Sequence, residues 1–128
     1  KDLTMTPTLL SADSLVNTDV HNLEGENIGT VTNLMIDIDF GKIAYAVLSF
    51  GGFMGLGDKL FAIPWSSLTV DTETERFVLN VDKTVLESAE GFDQDDWPDW
   101  SDLAWNETIY TTFGATPYWQ TGSGKAKQ

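Results

Sequence analysis

Apolar and polar residues alternate along Ile28–Phe40. Ile28, Leu34, Ile36, Ile38 and Phe40 share one parity, and Gly29, Asn33, Asp37 and Asp39 share the other. A period of two puts the first set on one face of a strand. Phe40-Gly41-Lys42 then reverses the chain. Lys42–Phe50 contains an uninterrupted apolar run, Ile43-Ala44-Tyr45-Ala46-Val47-Leu48, which implies burial on both faces or a barrel interior. Shorter strands are expected at Thr18–Asn22 and at Lys59–Ile63, the latter stopped by Pro64. A hairpin is expected from Thr69–Thr72 and Arg76–Val81 around Glu73-Thr74-Glu75. Glu24-Gly25-Glu26-Asn27 reads as a turn, with Gly25 supplying a positive φ, and Trp65-Ser66-Ser67-Leu68 as a tight helical or turn segment.

Helical signals are few. Ser11 can cap one turn over residues 11–15, and Asp82 can cap a short helix over residues 82–89 that ends near Gly91. Six short strands punctuated by glycine predict an all-β fold with a core over residues 17–81, a small barrel or sandwich with short helices. Residues 9–91 form the expected β-rich domain. From Phe92 the pattern changes: Asp93, Asp95, Asp96, Asp99 and Asp102 interleave with Trp97, Pro98, Trp100 and Trp105. Residues 92–120 are therefore expected to be an irregular acidic and aromatic C-terminal extension, and residues 121–128 a polar tail.

Charge narrows the partners. With 20 acidic and 7 basic residues among 128, the formal net charge is −13. Such a surface repels phosphate backbones and anionic lipid heads, so direct nucleic-acid binding is not expected. No stretch approaches the ~18 apolar residues of a membrane helix, so no membrane span is expected. Lys1–Leu10 has neither the long apolar run nor the cleavage site of a signal peptide. The expected location is the cytoplasm, or the periplasm if a leader has been removed.

The chain has no cysteine and a single histidine, His21. Disulfides, thiolate metal sites and cysteine nucleophiles are excluded, and no nucleophile–histidine or metal set can be assembled. No enzyme activity, cofactor or metal is expected. The glycine-rich segment Gly51–Lys59 fails as a phosphate loop, because Asp58 follows Gly57 where Lys and Ser or Thr are needed and a strand follows where a helix is needed. Asp93–Asp102 fails as a calcium loop, since Trp97 and Pro98 occupy positions five and six. Asp37 and Asp39 share a strand face but are expected to be solvated. His21 is expected to be a surface or half-buried strand residue.

The aromatic residues carry more information. Trp97, Trp100 and Trp105 lie outside the strands, yet each ring has ~150–250 Å² to bury. They either fold back onto the barrel, the favoured expectation, or dock on a second chain. Phe53, Met54 and Leu56 sit among glycines and either enter the core or form an exposed contact patch. These six residues are the candidate interaction sites.

Several runs together resemble the PRC-barrel family. They are Gly25-Glu26-Asn27-Ile28-Gly29-Thr30-Val31, Met35-Ile36-Asp37, the long run Gly41–Lys59, and Ile63-Pro64-Trp65-Ser66-Ser67-Leu68. Trp97-Pro98-Asp99 and Tyr118-Trp119 resemble the tail of bacterial stand-alone members, so the likeness covers roughly residues 9–119. The family takes its name from the cytoplasmic domain of the photosynthetic reaction centre H subunit, and a related domain forms the C-terminal half of a ribosome-maturation factor. Neither protein's functional residues align onto this chain. The resemblance implies a small six-stranded antiparallel barrel used as an adaptor or assembly module. The partner would be another protein or a second copy of the chain, in a homodimer or larger oligomer. The alternative is a sensor domain that binds a small ligand or cation.

Overall fold

The computed structural model describes residues 9–50, 59–74, 76–81 and 83–120. One helical turn, α1 (Ala12–Leu15), precedes the strands β1 (Asp19–His21), β2 (Asn27–Asp37), β3 (Lys42–Phe50) and β4 (Lys59–Pro64). A 3-10 turn, Trp65–Ser67, leads to β5 (Leu68–Asp71) and β6 (Arg76–Leu79). Helices α2 (Lys83–Ser88) and α3 (Leu103–Thr112) and a second 3-10 turn, Tyr118–Gln120, complete the order. The six strands form one curled sheet in the order β4-β3-β2-β1-β6-β5.

The sheet is mixed, which corrects the antiparallel expectation. β1 pairs with β6 in parallel, through Val20↔Phe77 and His21↔Val78, while the other four pairings are antiparallel. The cause is the crossing at Trp65–Ser67. β1 to β4 reverse at each step, so β4 and β5 run in the same sense and the link between them is not a hairpin. The β5–β6 hairpin then returns beside β1 with β6 in β1's own direction. Hydrophobic patterning identifies strands and sequential hairpins, but it does not specify the sense of a non-sequential pair.

The even face expected for β2 is also broken. Ile28 is buried, but Ile36 and Ile38 are exposed and Val31 is fully enclosed. Register shifts between Val31 and Asn33 and between Met35 and Ile36 explain this. Each extra residue exchanges the faces of everything after it. β2 also ends at Asp37, so Ile38 and Phe40 belong to the turn. By contrast, β3 is buried continuously from Ala44 to Leu48, as its apolar run implies.

Gly29 fits one of the tightest contacts in the sheet. A Cβ at this position would lie 2.4 Å from the Ser49 carbonyl oxygen and 2.8 Å from a Leu48 methyl. The core gathers Val20, Val31, Val47, Leu48, Ile63, Phe77, Leu79 and Leu86, so α2 contributes through Leu86. Asp82, the expected α2 cap, lies outside the described residues.

The extension is more regular than its sequence suggests, because residues 103–112 form a full helix. Asp102 caps α3 by accepting from Ala104 N (3.0 Å) and Trp105 N (3.3 Å). At the other end Gly114 adopts φ +64. Its N–H donates to Thr111 O and that of Ala115 to Tyr110 O, which closes the helix.

Candidate functional site

The extension begins by adding a rung to the β4 edge. Leu60 N donates to Phe92 O (3.0 Å) and Phe92 N to Leu60 O (2.8 Å). Lys59 Nζ and Asp93 Oδ1 pair beside it at 3.3 Å, an exposed contact of little energetic weight. The chain then crosses one face of β3, where Tyr45 receives it. Ring centroids place Tyr45 5.7 Å from Trp100, 5.8 Å from Trp105 and 5.4 Å from Tyr110. Trp100 also meets Phe92 (6.0 Å), Trp97 (5.9 Å) and Trp105 (5.3 Å). Trp97, Trp100 and Trp105 are thus brought together, half-buried, against the chain's own sheet. The structure thereby accounts for the burial of β3 on both faces.

Polar contacts fix this cover. The Tyr110 hydroxyl donates to Ala44 O at 2.9 Å within the core, and the Tyr45 hydroxyl donates to Asn106 Oδ1. Asn106 Nδ2 in turn donates to Trp100 O (2.9 Å) and Asp102 O (2.8 Å). At the far end the Tyr118 hydroxyl donates to Asp37 Oδ2. Burial raises all three tyrosine pKa values above the usual phenol range. For Tyr118 the adjacent Asp37 carboxylate raises it further.

Asp37 therefore does not form a working pair with Asp39. Its Oδ1 accepts from Asp39 N (3.0 Å) and Phe40 N (3.2 Å), which shapes the β2–β3 turn, while its Oδ2 meets Tyr118. The result is a braced hairpin tip from which Ile36 and Ile38 project, 54% and 88% exposed. Phe40 meets the same Tyr118 edge-on at 5.4 Å, which adds a ring contact to that brace. Phe53, Met54 and Leu56, the other candidate contacts, lie outside the described residues. The aspartates of residues 93–102 are exposed, and among the described residues no three potential ligands converge on a metal position.

A second feature was not visible from sequence. The parallel β1–β6 pairing brings His21 beside Arg76, with Nε2 and Nη1 3.4 Å apart. Both side chains line a groove of about 600 Å³ between α1, β1 and the β5–β6 hairpin. His21 and Arg76 are the chain's sole histidine and sole arginine, and that rarity was the available signal. Their adjacency requires the parallel pairing.

The sequence profile of the PRC-barrel domain matches residues 7–86. The chain belongs to the PRC-barrel family. A structural likeness is found to a crystal structure from Pseudomonas aeruginosa described as a 16S ribosomal RNA processing protein, RimM. It has 15% sequence identity and a TM-score of 0.40, and covers 59% of this chain and 45% of that one. No curated protein matches the chain. The profile match stops within α2, so the aromatic cover over this PRC-barrel lies beyond the matched span. No helix among the described residues is long and apolar enough to cross a membrane.

Proposed function

We propose that this PRC-barrel chain is a non-catalytic adaptor that assembles with another protein or with a second copy of itself. The carrying observation is the β2–β3 tip, where two large β-branched side chains stand in solvent on a turn held by Asp37 and Tyr118. A pre-ordered apolar projection binds without the entropy cost of ordering a loop. The −13 charge favours a basic protein surface as partner and disfavours nucleic acid. Phe53, Met54 and Leu56, in the glycine-rich segment of the sequence that follows β3, are a second candidate contact. Small-ligand binding is the other reading, and the groove beside His21 and Arg76 is what favours it.

The test compares the wild-type chain, Ile36→Ser/Ile38→Ser and Met54→Asp/Leu56→Asp as baits in native extract, with light scattering on each. Wild type should retain one stoichiometric partner or self-associate. The tip variant should lose that association while its melting temperature stays within a few degrees. Unchanged association in the tip variant would sink the tip as the contact, and loss in the loop variant alone would move the contact to the loop.

A further inference from the structure

The groove between α1, β1 and the β5–β6 hairpin holds two donors that nothing among the described residues satisfies. Arg76 Nε and His21 Nδ1 are both buried and have no hydrogen-bond partner among the described residues. A guanidinium only donates, so in the Nη1···Nε2 contact His21 accepts at Nε2 and carries its proton on Nδ1. Both unmet atoms are therefore N–H groups, and what they lack is an acceptor. Thr72 and Thr74 add hydroxyls along the same wall, while Leu10, Leu15 and Val70 supply apolar surface.

The nearby carboxylates among the described residues do not fill the need. Among the described residues Arg76 makes no ion pair. Its cross-strand neighbour Asp71 feels the Arg76 charge, but its hydrogen bonds go to the hairpin, where it accepts from Glu73 N and Thr74 N. Asp19 lines the groove without a hydrogen bond to Arg76 or His21. One guanidinium beside an uncommitted carboxylate suits a single negative charge better than a doubly charged phosphate. The volume is in the range of small-molecule sites.

We propose that this groove binds a small organic monocarboxylate, its carboxyl group on Arg76 and His21 and its apolar body against Leu15 and Val70. Both nitrogens are buried, so the guanidinium and imidazole must turn toward the ligand on binding. The site is independent of the hairpin tip, and the Ile36→Ser/Ile38→Ser variant should retain it.

The experiment is a titration of the full chain followed by backbone-amide and histidine-ring NMR, with benzoate, hexanoate, benzamide and inorganic phosphate as probes. Benzoate or hexanoate should give saturable shifts at His21, Val70 and Arg76 and at the His21 ring, with half-saturation near or below about 1 mM. Benzamide, which keeps the shape and lacks the charge, should not. Arg76→Gln should weaken the carboxylate at least about tenfold. If that variant does not fold, the His21 ring response of the wild-type chain to benzoate against benzamide decides the matter. Absence of saturable shifts with both carboxylates overturns the assignment. So does equal binding of benzamide, or phosphate competing with benzoate at equal concentration.

Discussion

Replacing Trp100 with alanine tests whether the extension folds as one unit with the barrel. Trp100 makes four aromatic contacts in the cover: Tyr45 on β3, Phe92 on the β4 rung, and Trp97 and Trp105 in the extension. Truncating a fully buried tryptophan costs about 3–5 kcal/mol. Trp100 is only half-buried, which lowers the expectation. Four ring contacts at about 0.5–1.5 kcal/mol each pull it back up. The expected loss is about 2–4 kcal/mol, a large share of the ~5–15 kcal/mol that stabilises a domain. Urea unfolding followed by far-UV circular dichroism measures it without relying on tryptophan fluorescence. A single transition should move to lower urea with its slope unchanged. A loss under about 0.5 kcal/mol, or a second transition in the wild-type protein, would show that the extension is not part of the cooperative unit and would refute the packing argument.

Three further outcomes are expected. Gly29→Ala drives a methyl into the Ser49 carbonyl 2.4 Å away, where backbone must move, so it should cost about 3 kcal/mol or more in the same urea assay. Asp102→Ala removes the acceptor for Ala104 N and Trp105 N and should cost about 1 kcal/mol, with Asp102→Ser recovering much of it. All three tyrosines have raised pKa values in the fold, so the unfolded chain loses phenol protons first. The tyrosine contribution to stability should be constant from neutral pH to about pH 10 and fall above it. Phenolate absorbance should then appear together with unfolding, and a separate earlier rise in the folded protein would contradict the burial of these hydroxyls.

The barrel strands were legible because each carries its own local signal. β3 has an unbroken apolar run ended by Gly41 and Gly51, and it spans Lys42–Phe50 as the pattern indicates. The inward face of β2 was not legible, because nothing in Val31-Thr32-Asn33 marks the bulge that exchanges its parity. The helix α3 was hidden for a different reason. Thr108, Ile109, Thr111 and Thr112 are β-branched, and the acidic-aromatic stretch before them suggests irregular chain. Its ends were nonetheless readable as Asp102 and Gly114, and tertiary packing of Ile109 and Tyr110 outweighs the weak propensity between them. Proximity of His21 to Arg76 depends on a pairing between strands 55 positions apart, which no local pattern encodes.

The extension solves a problem that the barrel strands create. A curled sheet with β4 and β5 at its ends leaves an edge at β4 and an apolar face on β3. Residues 92–120 carry six acids, Asp93, Asp95, Asp96, Asp99, Asp102 and Glu107, and no base. The acids face solvent while the rings between them face Tyr45. One segment therefore covers the β4 edge at Leu60, hides the β3 face and presents a charged exterior, which discourages the edge-to-edge pairing that open sheets invite. Its last anchor, Tyr118 on Asp37, falls at the β2–β3 turn, so the cover that completes the fold also stiffens the exposed Ile36–Ile38 tip. Tyr118→Phe separates the two effects. The ring contacts with Phe40, Tyr110 and Trp119 remain, while the bond to the turn is lost. The variant should lose only about 1 kcal/mol of stability, yet its amide exchange should quicken at Ile38–Gly41 and not in β3. Equal protection of the tip in both proteins would show that Asp37's own turn bonds suffice and that Tyr118 plays no part in presenting it.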